Sequence, residues 1–357
     1  MRIVTVVGNR PQFVKAAAVS RLLRERHDEV LVHTGQHYDD EMSRVFFEEL
    51  ALPEPDRHLG VGSAPAAEQT ARMLSALGAE LDGLAPELVV VYGDTNTTLA
   101  GALAAAQARV PVAHVEAGMR SFDRSMPEEL NRVLTDHASD LLLCSTETAV
   151  ANLAREGIEG PGVRLVGDAM ADVVLAMAPR ARERSAALAD HGVEAGGYVL
   201  VTAHRAGNVD DRERLAALVE LVLALPRPVV FPVHPRTRAR LDAAGLAGRL
   251  ESADGLHATP PLGYLDLLAL AQSARAVVTD SGGLQKEAYL LGVSCVTLRD
   301  RTEWVETVDA GWNALVDLDR DAALAALERD PPAERPELYG GGRAGERIVE
   351  AVSGWAS

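Results

Sequence analysis

The chain has 357 residues, 47% hydrophobic and 24% charged, enough apolar material for about two packed domains and too much for a disordered chain. Its 35 basic and 52 acidic side chains leave a net charge of −17. That is the wrong sign for a nucleic-acid or anionic-membrane surface, so any anionic ligand must find a local basic pocket.

The N-terminal MRIVTVVGNRP holds a short apolar run broken by Gly-Asn-Arg-Pro. It reads as a first strand and not as the longer core of a signal peptide. No apolar stretch reaches the ~18 residues of a membrane span, and a cytoplasmic protein is expected. Buried strands are predicted at Arg2–Val7, Glu29–Thr34, Leu88–Tyr92, Val112–Val115, Leu141–Cys144 and Arg164–Val166. A second set follows at Tyr198–Thr202, Val229–Val233, Ala276–Thr279, Cys295–Leu298 and Ala314–Val316. Continuous apolar strands separated by helical intervals are those of parallel sheets covered on both faces. The expected fold is therefore α/β, with two Rossmann-like doubly wound domains and a cleft between them. The break is placed at Gly167, giving residues 1–167 and 168–342. A helix is expected at Asp172–Leu188, and Pro331–Gly342 should interrupt regular structure. A final helix, Arg343–Trp355, has Ile348, Val349 and Val352 on one face and must dock elsewhere. Cys144 and Cys295 sit in apolar runs and read as small buried hydrophobes.

Ligands of such sheets bind beyond the carboxyl ends of the strands, so the strand-to-helix turns carry the candidates. In Gly8–Lys15, Pro11 suits a first helical position, and Arg10 and Lys15 add charge to an anion-attracting helix start. Asp94, after Leu88–Tyr92, reads equally as a helix cap or an acid/base group. Glu116 would place a carboxylate at a strand's end, costly unless used or paired. Glu128 reads equally as the partner of Ser125 in a capping box. In the second half, His204 and Arg205 read as phosphate ligands or acid/base groups. Ser281, Gly282 and Gly283 open a helix able to cradle a phosphate, and Arg299–Glu303 adds cations. No G-x-G-x-x-G, P-loop, G-x-S-x-G or compact zinc spacing occurs. Together these turns point to proton transfer on a phosphate-bearing ligand, without redox cofactor or metal. Lys15 and Lys286 are the only lysines beside 33 arginines, which reads as codon bias and makes both worth following.

With these motifs in hand, the chain resembles the non-hydrolysing UDP-N-acetylglucosamine 2-epimerases over nearly its full length. The resemblance rests on Gly8–Lys15, Gly35-Gln36-His37, Gly93–Leu99, His114–Arg120, Pro127–Arg132, His204-Arg205, Asp280–Glu287, Arg299–Glu303 and Tyr339–Gly342. It implies a glycosyltransferase-B-like fold whose C-terminal helix, within 343–357, returns to the first domain. It also implies a reaction: anti elimination of UDP from UDP-GlcNAc to 2-acetamidoglucal, then syn re-addition to give UDP-ManNAc. By the same resemblance, Asp94, Glu116 and Glu128 are the acid/base carboxylates and His204 sits at the diphosphate. Arg10 and Lys15 serve the diphosphate and sugar, Arg205, Ser281, Gly282 and Gly283 the phosphates, and Glu287 the ribose. Lys15 stands where the family expects a cation, whereas Lys286 keeps a structural reading. A UDP-sugar is the expected partner, with no cofactor, no nucleic acid and no membrane, and a homodimer is expected. The motifs leave open relatives acting on 3-acetamido or uronic-acid sugars, a glycosyltransferase of the same architecture, and a non-catalytic sugar-nucleotide binder.

Overall fold

A computed structural model describes residues 1–36 and 53–355. Its contacts divide the chain into two compact units, one up to Val173 together with Glu337 onward, the other Val174–Pro336.

The first unit carries seven strands: β1 (Arg2–Val7), β2 (Asp28–His33), β3 (Arg57–His58), β4 (Leu88–Tyr92), β5 (Val112–Ala117), β6 (Leu141–Cys144) and β7 (Val163–Leu165). They pair all-parallel in the order β3-β2-β1-β4-β5-β6-β7. The order reverses direction between β1 and β4, which makes their carboxyl ends the switch point of a doubly wound sheet. Apolar residues cover both faces. On one, Met73, Leu77 and Ala100 pack with Val4, Val6 and Val89. On the other, Phe13, Val19 and Leu23 pack with Ile3, Val7 and Val90. The helix Ala344–Trp355 completes this second face with Ile348, Val349 and Val352. Asp172 holds its start, accepting from the N–H groups of Ala344 (3.0 Å) and Gly345 (2.7 Å).

The second unit repeats the plan with β8 (Val199–Thr202), β9 (Val229–Pro232), β10 (Leu256–Thr259), β11 (Ala276–Thr279), β12 (Ser294–Thr297) and β13 (Asn313–Leu315), all parallel, in the order β10-β9-β8-β11-β12-β13. Its switch point lies between β8 and β11.

All eleven expected strands form, with ends shifted by up to two residues. The differences lie at the edges. β3 and β10 were not expected: the first is two exposed polar residues and the second is only half-buried, so neither presents an apolar run. The helix expected at Asp172–Leu188 runs Ala169–Arg184 with Pro179 inside, and a short turn Ala187–Asp190 follows. Both cysteines are buried, and burial pushes each thiol up to about 12, consistent with inert packing groups. Among the described residues, no helix is long and apolar enough to cross a membrane.

Candidate active site

In the first unit the loops beyond β1, β2 and β4 are locked by buried amides and hydroxyls. Gln12 Nε2 donates to Tyr92 O (3.0 Å) and Thr98 Oγ1 (2.9 Å), and its Oε1 accepts from Gly8 N–H (2.8 Å). Gln36 Oε1 accepts from the N–H (3.0 Å) and hydroxyl (2.7 Å) of Thr97. A Cβ at Gly8 would collide with the hydroxyls of Thr34 and Thr97, so this turn closes only around glycine. The helix Arg10–Arg24 begins one residue earlier than expected, with Pro11 second and Asn9 as its cap. The side chain of Arg10 and the whole of His37 lie outside the described residues.

Lys15 leaves the first turns of that helix, and its ammonium donates to the Glu116 carboxylate, both side chains being nearly buried. Burial alone would lower the Lys15 pKa. The charges of Glu116, Asp94 and Asp168 overcome this and raise it.

Glu116 stands at the end of β5, as its next-to-last residue. The ladder to β6 skips it, Val115 pairing with Leu143 and Ala117 with Cys144, which makes it the extra residue of a β-bulge. Its φ is +74°, a conformation that disfavours a side chain and costs of order 1–3 kcal/mol. The bulge thus turns a carboxylate out of the sheet's alternation and onto Lys15. Gly93, φ +66°, makes room for the pair: a Cβ there would lie 3.0 Å from Lys15 Nζ and 3.3 Å from Glu116 Oε2.

Asp94 is not the cap of the helix Asn96–Gln107; Thr95 takes that role in a capping box with Thr98. The Asp94 carboxylate instead pairs with Arg132, whose other arm reaches Glu129 (3.1 Å). The Ser125–Glu128 capping box also does not form. Met126 is the cap position, without a side-chain bond, and Ser125 donates to Asp123 (2.6 Å). Pro127 starts the helix, so Glu129 rather than Glu128 reaches back, accepting from Ser121 N–H, Ser121 hydroxyl and Phe122 N–H, each at 2.9 Å. Glu128 is left exposed in the first turn. The two adjacent glutamates therefore divide into a buried structural one and a solvent-facing one.

In the second unit, Asp280 at the end of β11 is fully buried and accepts from His204 N–H (3.0 Å), Arg205 N–H (3.0 Å) and Asn208 Nδ2 (3.1 Å). It draws the turn after β8 against the turn after β11 across their switch point. His204 Nδ1 lies 3.4 Å from Asp280 Oδ1. Burial lowers the His204 pKa, with Arg205 and Arg236 adding to it and Asp280 opposing it. Ser281 caps the helix Gly282–Leu291 through Leu284 N–H (3.5 Å). Gly282 and Gly283 are its first residues, whose N–H groups have no acceptor within the helix. A Cβ at Gly282 would meet Arg205 Nη2 (3.6 Å), Trp304 Nε1 (3.7 Å) and Glu303 (3.8 Å) only at ordinary contact distance, and one at Gly283 only Ser281 Oγ (3.9 Å). The fold itself does not demand glycine at either position. Arg299 and Glu303 form a two-armed pair (2.9 and 3.0 Å). Lys286 and Glu287 are buried on the same helix, with Lys286 Nζ 4.1 Å from the Trp304 ring centroid.

Sequence reasoning named Asp280 and Arg132 only as ends of the motifs Asp280–Glu287 and Pro127–Arg132, without a role, and it missed Asp136 and Asp168. Asp280 and Asp168 each follow a strand closely and adjoin glycine or serine, the same signal that marks Asp94 and Glu116. Asp136 and Arg132 face inward from the helix Pro127–His137 and carry no such mark. Among the described residues no group of His, Cys, Asp and Glu is arranged to hold a metal.

Residues 21–353 match the family model described as UDP-N-acetylglucosamine 2-epimerase. The chain is 45% identical over 355 residues to a UDP-N-acetylglucosamine 2-epimerase homolog of Methanococcus maripaludis, with 99% of each covered. It is 44% identical over 363 residues to the UDP-2,3-diacetamido-2,3-dideoxy-D-glucuronate 2-epimerase of Pseudomonas aeruginosa, again with 99% of each covered. The crystal structure of Methanocaldococcus jannaschii UDP-GlcNAc 2-epimerase in complex with UDP-GlcNAc and UDP superposes with a TM-score of 0.90 at 42% identity, covering 99% of both chains. Near-complete coverage at this identity, on the same two-sheet α/β fold, places the chain among isomerases: it belongs to the UDP-N-acetylglucosamine 2-epimerase family.

Proposed function

We propose that the protein interconverts UDP-GlcNAc and UDP-ManNAc by eliminating and re-adding UDP. The observation that carries this reading is the group of carboxylates around the carboxyl ends of β4 and β5. Asp94 is paired with Arg132 and Glu116 with Lys15, while Glu128 is exposed on the next helix. Inversion at C2 needs a base on one face of the sugar and an acid on the other. In the forward direction one carboxylate takes the C2 proton as the C1–O bond breaks. The C–H electrons become the C1=C2 double bond, and UDP departs with the C1–O pair. UDP then adds back to C1 while a second acid delivers a proton to the opposite face of C2. Asp94, Glu116 and Glu128 are the groups assigned to these transfers.

The negative charge that gathers on the departing diphosphate must be met without water. His204 and Arg205 meet it with side chains, because Asp280 already occupies their backbone N–H groups. The N–H groups of Gly282 and Gly283, with Ser281, add an anion-binding helix start. Arg10 and Lys15 serve the diphosphate and sugar side, and Glu287 the ribose hydroxyls. A cytoplasmic homodimer is part of this reading. Exposed Phe122, Leu130 and Leu134 support a self-association face, which light scattering of the purified protein tests.

A second substrate has specific support: the relative acting on a 2,3-diacetamido glucuronate matches at 44%, beside 45% and 42% for the UDP-GlcNAc group. Proton NMR in D₂O with each UDP-sugar, without added NAD or metal, decides between them. UDP-ManNAc bearing deuterium at C2 is the expected product from UDP-GlcNAc. No exchange and no new sugar from UDP-GlcNAc would sink the reading, and turnover of the diacetamido sugar alone would reassign the substrate.

A further inference from the structure

We propose that His114 is a buried imidazolium that fixes the segments carrying Asp94, Glu116 and Glu128 relative to one another. The role rests on the assignment of those carboxylates made above. His114 lies on β5 and is fully buried. Its Nε2 is 2.7 Å from Gly93 O and its Nδ1 is 2.6 Å from Asp136 Oδ1. A carbonyl oxygen has no proton to give, so Nε2 must be the donor to Gly93. A neutral ring would then have to accept at Nδ1, where it faces a carboxylate. The second oxygen of Asp136 already accepts from Gly118 N–H (3.1 Å) and Arg120 Nη1 (2.7 Å). Two donors on one oxygen, one of them the Arg120 guanidinium, are met by an ionised carboxylate. With Asp136 ionised, only the doubly protonated ring satisfies both contacts. Arg120 in turn forms a two-armed pair with Glu156, both contacts at 2.7 Å, so the two buried cations are matched by two anions.

Each attachment lands beside a candidate carboxylate. Gly93 immediately precedes Asp94 and lines the Lys15–Glu116 pair. Gly118 closes the turn after Glu116, where a Cβ would run into Ala149 O. Asp136 stands on the helix whose first turn holds Glu128. One ring therefore ties together the turn after β4, the bulge of β5 and the helix Pro127–His137. His114 touches no reacting atom; it is a positioning residue.

Ring ¹⁵N NMR of histidine-labelled protein tests the charge state without relying on activity. His114 should show two protonated nitrogens whose N–H protons outlast those of every other ring in D₂O. The two amide variants test the role. His114→Gln can still donate to Gly93 and His114→Asn to Asp136, so each keeps one of the two links. Both should lose roughly 10- to 100-fold in kcat, the penalty of a small misplacement, with KM for the UDP-sugar within about twofold of wild type. An unprotonated nitrogen on the most protected ring overturns the proposal, and so does a kcat within about threefold of wild type in both variants. If neither variant folds, the wild-type ring spectrum still decides. If wild-type protein epimerises no sugar while the imidazolium signature is present, the functional reading fails and the ring's charge state stands.

Discussion

Lys15 and Glu116, 101 positions apart, form an ion pair at the carboxyl ends of β1 and β5. Removing one partner of a nearly buried pair costs about 3–5 kcal/mol, because it strands the other charge. Replacing Glu116 by glycine also releases a positive-φ strain of roughly 1–3 kcal/mol. The stranded charge outweighs the released strain, so Lys15→Met and Glu116→Gly are each destabilising. The double variant removes both charges of the pair and keeps the relief, so it should be more stable than either single variant in urea unfolding. All three should lose turnover, and Glu116→Gln should lose about 10²–10⁴-fold, the usual share of a positioned acid or base. A double variant less stable than both singles would remove the pair's coupling. Near-normal turnover in Lys15→Met would remove Lys15 from the machinery.

His33 gives the first unit a pH dependence of definite sign. It ends β2, pairs in register with His58 of β3 and stacks on Phe13 with ring centroids 5.0 Å apart. Burial, aided by His58, lowers its pKa from 6.5 to about 4. The unfolded chain therefore takes up a proton before the folded one does. Stability from this residue is complete above pH 6.5 and is lost as pH falls toward 4, by roughly 3 kcal/mol in all. Chemical unfolding at pH 7 and pH 4.5 should show a smaller loss in His33→Gln than in wild type, by about 2–3 kcal/mol. Equal losses in the two proteins would mean that His33 is charged in the folded state.

Much of the fold was legible because buried parallel strands advertise themselves as continuous apolar runs, as Leu88–Tyr92 and Ala276–Thr279 do. β3 and β10 were not legible, since an exposed two-residue edge and a half-buried strand carry little of that signal. Candidate positions were legible from strand-to-helix turns, but the local role of each side chain was not. Asp94 and Thr95 are both acceptable caps, and the choice falls to Thr95 because Gly93 turns the chain before it. Glu128 and Glu129 differ only in helix phase, which Pro127 sets. The left-handed backbone of Glu116 has no mark in Val115-Glu116-Ala117, since it arises from a register shift against β6. Asp136 reaches His114 from the far end of the helix Pro127–His137, and spacing along the chain does not show such a link.

Gly282 and Gly283 offer the sharpest separation of folding from binding. Glycine early in a helix is less favourable than alanine by roughly 0.5–1 kcal/mol. It is explained when a Cβ would clash or when φ is positive. Neither holds here: the nearest atoms to an added Cβ are 3.6 Å away at Gly282 and 3.9 Å at Gly283, and neither residue is among the positive-φ glycines. What remains is the surface these residues offer to a ligand, two N–H groups at a helix start beside Arg205, Trp304 and Ser281. Gly283→Ala should therefore raise the unfolding free energy by about 0.5–1 kcal/mol. The same methyl group should weaken UDP binding at least about tenfold by calorimetry, because a diphosphate held by backbone N–H groups must approach within hydrogen-bond distance of about 3 Å. Stabilisation with unchanged UDP affinity would place the diphosphate elsewhere. Destabilisation with unchanged affinity would return the glycine pair to a purely structural role.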